Sequence, residues 1–169
     1  KIIFFLLTNI KSNSNSSESF LHNKEIIDML LLGLIYSTNE FIKPDIDKAL
    51  IYIKKSAKLK NSMAQLYLGD FYLEGKYVKQ NIKKAFRYYK LSANQNNVLA
   101  QSKLGLLYLK GNYAPKNIKK AIHYLKLAAK QNSLQSIYNL AIIYEEGIYI
   151  KRNIEKAIHY FTLASDQNF

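Results

Sequence analysis

The chain repeats itself every 36 residues, and that regularity constrains its fold more than any other feature. Residues 25–60, 61–96, 97–132 and 133–168 align without gaps, with 24 residues ahead of them and one behind. Leu32, Leu68, Leu104 and Leu140 fall in one column, and Tyr36, Tyr72, Tyr108 and Tyr144 in another. Later columns hold Ile46, Ile82, Ile118 and Ile154; Lys48, Lys84, Lys120 and Lys156; Ala49, Ala85, Ala121 and Ala157; and Tyr52, Tyr88, Tyr124 and Tyr160. A unit this short cannot bury its apolar face alone, so it must stack on its neighbours into one continuous core.

Each unit reads as two helices. In the second unit the first helix runs from about Ser62 to Glu74, with small or apolar residues at 64, 68, 71 and 72 on one narrow face. Gly75, Gly111 and Gly147 follow this helix, with Asn39 in the first unit, and these are the residues that readily take the left-handed conformation ending a helix. A short apolar loop comes next, Tyr77-Val78, Tyr113-Ala114 and Tyr149-Ile150, whose aromatic is expected to tuck under the helix pair. Asp45, Asn81, Asn117 and Asn153 then offer a side-chain acceptor to the first amides of the second helix. That helix runs from Ile82 to Ala93, with Asn96, Asn132 and Asn168 placed to close it. The fold class is all-α.

Gly33, Gly69 and Gly105 lie inside the first helices, where Gly costs roughly 1 kcal/mol relative to Ala. The fourth unit carries Ala141 instead, so this column is chosen for small size and not for backbone freedom. The adjacent helix must pass very close there.

Composition removes several function classes. There is no Cys, which excludes disulfides, thiolate metal sites and a cysteine nucleophile. All six glycines belong to the two repeat columns, leaving none for a phosphate-cradling loop. Of the three histidines, His22, His123 and His159, the latter two have no second ligand at a metal spacing such as H-E-x-x-H, and the carboxylates are scattered, so no metal, cofactor or acid–base site is expected. The net charge of +13 rests on 23 Lys and only two Arg, Arg87 and Arg152. Lys, Asn, Ile, Tyr and Phe make up 81 of the 169 residues, a bias that AT-rich codons alone produce. Lysine-rich surfaces of this kind leave RNA association as the alternative to protein binding. No run of eighteen apolar residues is present to span a membrane.

The columns resemble the Sel-1-like repeat family, a relative of the tetratricopeptide repeat. The third unit carries its pattern as Ala100, Leu104-Gly105, Tyr108, Gly111, Lys120-Ala121, Tyr124 and Ala128-Ala129, with Asn117 in place of the usual capping Asp. The resemblance implies a right-handed α-solenoid of four helix-turn-helix units and a non-enzymatic adaptor or scaffold. Its members act in degradation of misfolded proteins at the endoplasmic reticulum, as part of a ubiquitin ligase complex, or at a bacterial host interface. One branch carries paired cysteines, which this chain lacks.

Partner binding by such a solenoid is expected at variable positions off the core face of the first helices. Those positions are Met63, Tyr67, Asp70 and Glu74; Leu99, Lys103, Leu106 and Lys110; and Gln135, Asn139, Ile142 and Glu146. Apolar residues among changing charges suit a protein or peptide. Residues 1–24 read as a leader and polar linker: Lys1 precedes the apolar run Ile2–Leu7, as in a secretory signal, and Asn15 is a candidate glycosylation site. The fourth unit ends without a polar cap, so further repeats, a partner or self-association is expected to cover it.

Overall fold

The computed structural model describes residues 45–147 and 150–166, together with Leu30. Asn15, Gly33, Asn39, Tyr149, Asn168 and the leader lie outside the described residues. The described residues form seven α-helices: α1 (Ile46–Lys58), α2 (Ser62–Glu74), α3 (Ile82–Ala93), α4 (Val98–Lys110), α5 (Ile118–Ala129), α6 (Leu134–Glu146) and α7 (Ile154–Asp166). Among them there is no strand.

The chain divides into two compact units, Lys1–Asn61 and Ser62–Phe169. In the first, α1 starts at Asp45, whose carboxylate accepts from the Lys48 amide at 3.0 Å and meets its ammonium at 3.0 Å. Both bonds favour the ionised form, so the Asp45 carboxyl is held below its ordinary range. Ala49, Leu50, Ile53 and Ala57 are its buried apolar side.

The second unit is three helix pairs in series. α2 packs most extensively on α3, α4 on α5 and α6 on α7, while α3 meets α4 and α5 meets α6. One apolar cluster joins Leu66, Tyr89, Leu104 and Tyr108 across α2, α3 and α4. A second joins Leu125, Ile137, Leu140 and Tyr144 across α5 and α6. Burying each of these Leu side chains contributes about 1.5–3 kcal/mol, which is how three short pairs hold together.

Identical local devices recur in every pair. Asn81, Asn117 and Asn153 cap the second helices by accepting from Lys84, Lys120 and Lys156 amides at 2.9, 3.0 and 2.8 Å. Their own amides reach back to the Tyr72, Tyr108 and Tyr144 carbonyls at 2.8–2.9 Å, which fixes the loop between the paired helices. Gly111 and Gly147 end the first helices with φ of 74° and 63°, the left-handed conformation that the spacing predicts. Asn96 and Asn132, both at φ 61°, close the second helices in the same way.

The tyrosine and lysine columns hold each pair together. Tyr72 stacks on Tyr88, Tyr108 on Tyr124 and Tyr144 on Tyr160, with ring centroids 5.8, 6.0 and 5.8 Å apart. Lys84, Lys120 and Lys156 then place their ammonium groups 5.1–5.3 Å from the Tyr72, Tyr108 and Tyr144 rings. Each such contact contributes about 0.5–1 kcal/mol at an exposed site. These lysines therefore have a structural reason beyond codon bias.

The small-residue column is as close-packed as its chemistry requires. A Cβ on Gly69 would stand 2.5 Å from Tyr89 Cε1, and one on Gly105 would stand 2.6 Å from Leu125 Cγ. Neither neighbour is a free side-chain tip, so neither can step aside at little cost.

Candidate functional site

Two hollows flank the junction between the second and third repeats. The first lies on the first-helix side and has a volume of about 330 Å³. Leu73 of α2 forms one wall, Tyr89 of α3 the floor, and Lys103, Leu106, Leu107 and Lys110 of α4 the other wall. Asn112 and Tyr113 close one end from the following loop.

The floor is polar at one point only. Tyr89 is fully buried, and its hydroxyl donates to Asp70 Oδ1 at 2.7 Å. Burial first, and the bond to Asp70 second, push its phenol well above the ordinary 10.0. Lys103 Nζ donates to the same Asp70 oxygen at 2.8 Å, so one carboxylate ties α2, α3 and α4 together. Asp70 is 19% exposed and Lys103 43%, which makes this a half-screened pair whose strength lies in the shared oxygen.

Of the residues singled out from sequence, Lys103, Leu106 and Lys110 meet in this hollow, and Asp70 borders it through Lys103 and Tyr89. The others stand elsewhere. Met63 packs on the core and accepts from Asn97 Nδ2 through its sulfur at 3.2 Å. Asn139 turns back to its own helix, donating to the Gln135 carbonyl at 2.6 Å. Tyr67 and Ile142 are half-buried, while Glu74, Leu99 and Glu146 are exposed.

Five lining residues were not anticipated: Leu73, Tyr89, Leu107, Asn112 and Tyr113. Tyr113 differs from the expectation that the loop aromatic tucks in. Tyr77 does so, edge-on to Phe71 at 4.8 Å, but the residue equivalent to Phe71 in the third repeat is Leu107. Without a ring to meet, Tyr113 is left 45% exposed and becomes a wall.

His123 and His159 are exposed on α5 and α7, each edge-on to the neighbouring tyrosine at 5.2 Å. Among the described residues no three His, Asp or Glu gather as metal ligands, and no helix is long and apolar enough to cross a membrane.

Tandem helix pairs with an open groove between successive first helices define a helical-repeat solenoid. The Sel1 repeat model matches residues 28–61, 62–97, 98–133 and 134–169, and the chain belongs to the Sel1-repeat family. Proteins of this family are generally protein-interaction scaffolds and typically non-catalytic. A Sel1 repeat protein from Oxalobacter formigenes superposes with a TM-score of 0.78 at 24% identity, over 85% of this chain and 59% of that one. A protective antigen present in uropathogenic Escherichia coli strains gives 0.78 at 26%, over 89% of this chain and 31% of that one. The cysteine-rich protein B of Helicobacter pylori gives 0.57 at 25%, over 73% of this chain and 97% of that one. The chain thus spans under two thirds of the first two structures. No curated protein sequence matches it.

Proposed function

We propose that the chain is a non-enzymatic adaptor that holds a protein or peptide segment in the first-helix groove between α2 and α4. The observation that carries this reading is the hollow of about 330 Å³, with Leu73, Leu106, Leu107 and Tyr113 as apolar walls and Lys110 at its mouth. Among the described residues Lys110 pairs with no carboxylate, so a segment offering an apolar side chain and an acidic group complements it.

The test is affinity selection of displayed peptides on the whole chain, repeated with Leu106→Asp. Leu106→Asp should abolish capture of the selected peptides while leaving helicity intact, because it puts a charge on the apolar wall. Capture that survives this change would remove the groove from consideration.

An exported factor is the narrower form of this reading. It draws on the signal-like start, Lys1 and Ile2–Leu7, and on the likeness to a protective antigen of a pathogenic bacterium. Its eukaryotic counterpart is a lumenal adaptor of a ubiquitin ligase, marked by a glycan on Asn15. Mass spectrometry of the mature amino terminus separates these from an uncleaved chain. The net charge of +13 favours RNA association as the second reading. Affinity falling steeply with salt, in proportion to the phosphates neutralised, distinguishes it.

A further inference from the structure

On the other side of Tyr113 lies a second hollow of about 550 Å³, between α3 and the loop that follows α4. Phe86, Leu91 and Tyr113 give it apolar walls, and Lys83, Arg87 and Lys90 line it with cations. The three cations follow at i, i+4 and i+7, so they share one face of α3.

Nothing on α3 repays this arrangement. Like charges three and four residues apart repel, and Lys83 sits in the first turn, the end of a helix that disfavours cations. α3 holds no acidic residue, and none occurs anywhere from Gly75 to Tyr144. Among the described residues no carboxylate pairs with Lys83, Arg87 or Lys90. Codon bias does not account for the pattern, because the same three columns read Lys119, His123 and Lys126 in the third repeat and Glu155, His159 and Thr162 in the fourth. Of the two arginines, Arg152 donates to the Glu145 carbonyl at 2.9 Å, whereas Arg87 lines this hollow.

We infer that this hollow is a second binding site, distinct from the first-helix groove, for an acidic peptide segment of a protein partner. An apolar side chain fills the space between Phe86, Leu91 and Tyr113, and flanking carboxylates pair with Lys83, Arg87 and Lys90. Arg87 suits a carboxylate because it can meet both oxygens at once. A peptide fits better than nucleic acid, since phosphates need no apolar anchor and bases need free ring faces. Of the two rings lining the hollow, Phe86 is half-buried against Tyr108 at 5.5 Å, which leaves only Tyr113 exposed, too little for successive bases to stack on.

The experiment measures binding of the whole chain to an array of short peptides in which Glu content and Leu or Phe content vary independently. Single-stranded poly(U) and phosphatidylserine vesicles are measured at the same salt. Binding should require both acidic and apolar residues. Arg87→Glu with Lys90→Glu should weaken it about tenfold or more, whereas Lys119→Glu with Lys130→Glu, an equal change of net charge at the start of α5 and just past its end, should weaken it at most about twofold. Leu106→Asp disables the first-helix groove, so the double reversals are compared in that background, where the binding that remains belongs to this site. The inference is overturned if both double reversals weaken binding equally, if acidic peptides without an apolar residue bind as well, or if poly(U) or the vesicles bind more tightly than any peptide.

Discussion

The junction between the second and third repeats and the junction between the third and fourth share one backbone plan but are fastened differently. At the first, Asp70 of α2 takes bonds from Tyr89 and Lys103 near the far end of α2. At the second, the same columns read Leu106, Leu125 and Asn139, so that lock is absent. A hydroxyl cluster replaces it near the start of α6, where Ser102 Oγ lies 3.0 Å from Ser133 Oγ and 2.7 Å from Ser136 Oγ. Residues corresponding to those serines at the first junction are Leu66, Asn97 and Ala100. Backbone caps and tyrosine stacks set the frame, and the off-core columns of the first helices are free to change chemistry on it. A binding groove can therefore be built at one junction without rebuilding the next.

Four changes sharpen or break this comparison. The largest effect is expected from Gly69→Leu, which drives into the Tyr89 ring and disturbs its bond to Asp70 as well. It should cost about 1–3 kcal/mol or more. An unchanged urea midpoint would refute the close approach of α2 and α3.

Next is Asp70→Ala, which strands the Tyr89 hydroxyl and frees Lys103, at a cost of about 1–3 kcal/mol. Asp70→Leu with Tyr89→Phe should recover most of that loss, since both polar partners are replaced together. If the double change is no better than Asp70→Ala, the polar lock is not what fastens this junction.

Ser136→Ala should cost about 1 kcal/mol at the other junction, and Ser102→Ala with Ser136→Ala should cost less than the sum of the two singles. Strict additivity in a double-mutant cycle would mean that the hydroxyls do not act as a cluster.

The smallest effect is in alkali. Tyr89 stays protonated in the folded chain where the unfolded phenol, near 10.0, has ionised, and burial raises Tyr88, Tyr124 and Tyr160 in the same direction. The folded state then holds more protons, so stability is full below that value and falls as pH climbs past it. Urea midpoints at about pH 8 and about pH 11 should differ, and Tyr89→Phe should flatten part of the fall. A slope unaltered by that substitution would exclude Tyr89 as a contributor.

The frame was legible in the sequence because it is written in columns. Ser62–Glu74 and Ile82–Ala93 follow from apolar spacing bounded by Gly75 and Asn81, and the tight packing at Gly69 and Gly105 from Ala141 in the same column. The groove was less legible because it depends on departures from the columns. Asp70 and Lys103 lie 33 residues apart, three short of a full period, so no alignment of repeats sets them side by side. Tyr113 shares a column with Tyr77, yet its exposure follows from Leu107 standing where Phe71 stands one repeat earlier.

The most direct test of the adaptor account is amide chemical-shift mapping of the whole chain titrated with a peptide selected on it. The account predicts shifts concentrated at Leu73, Lys103–Lys110 and Asn112–Tyr113 for groove-dependent peptides, with the equivalent positions around Ile142 quiet. Shifts spread evenly over all repeats, or centred on the third–fourth junction, would contradict it.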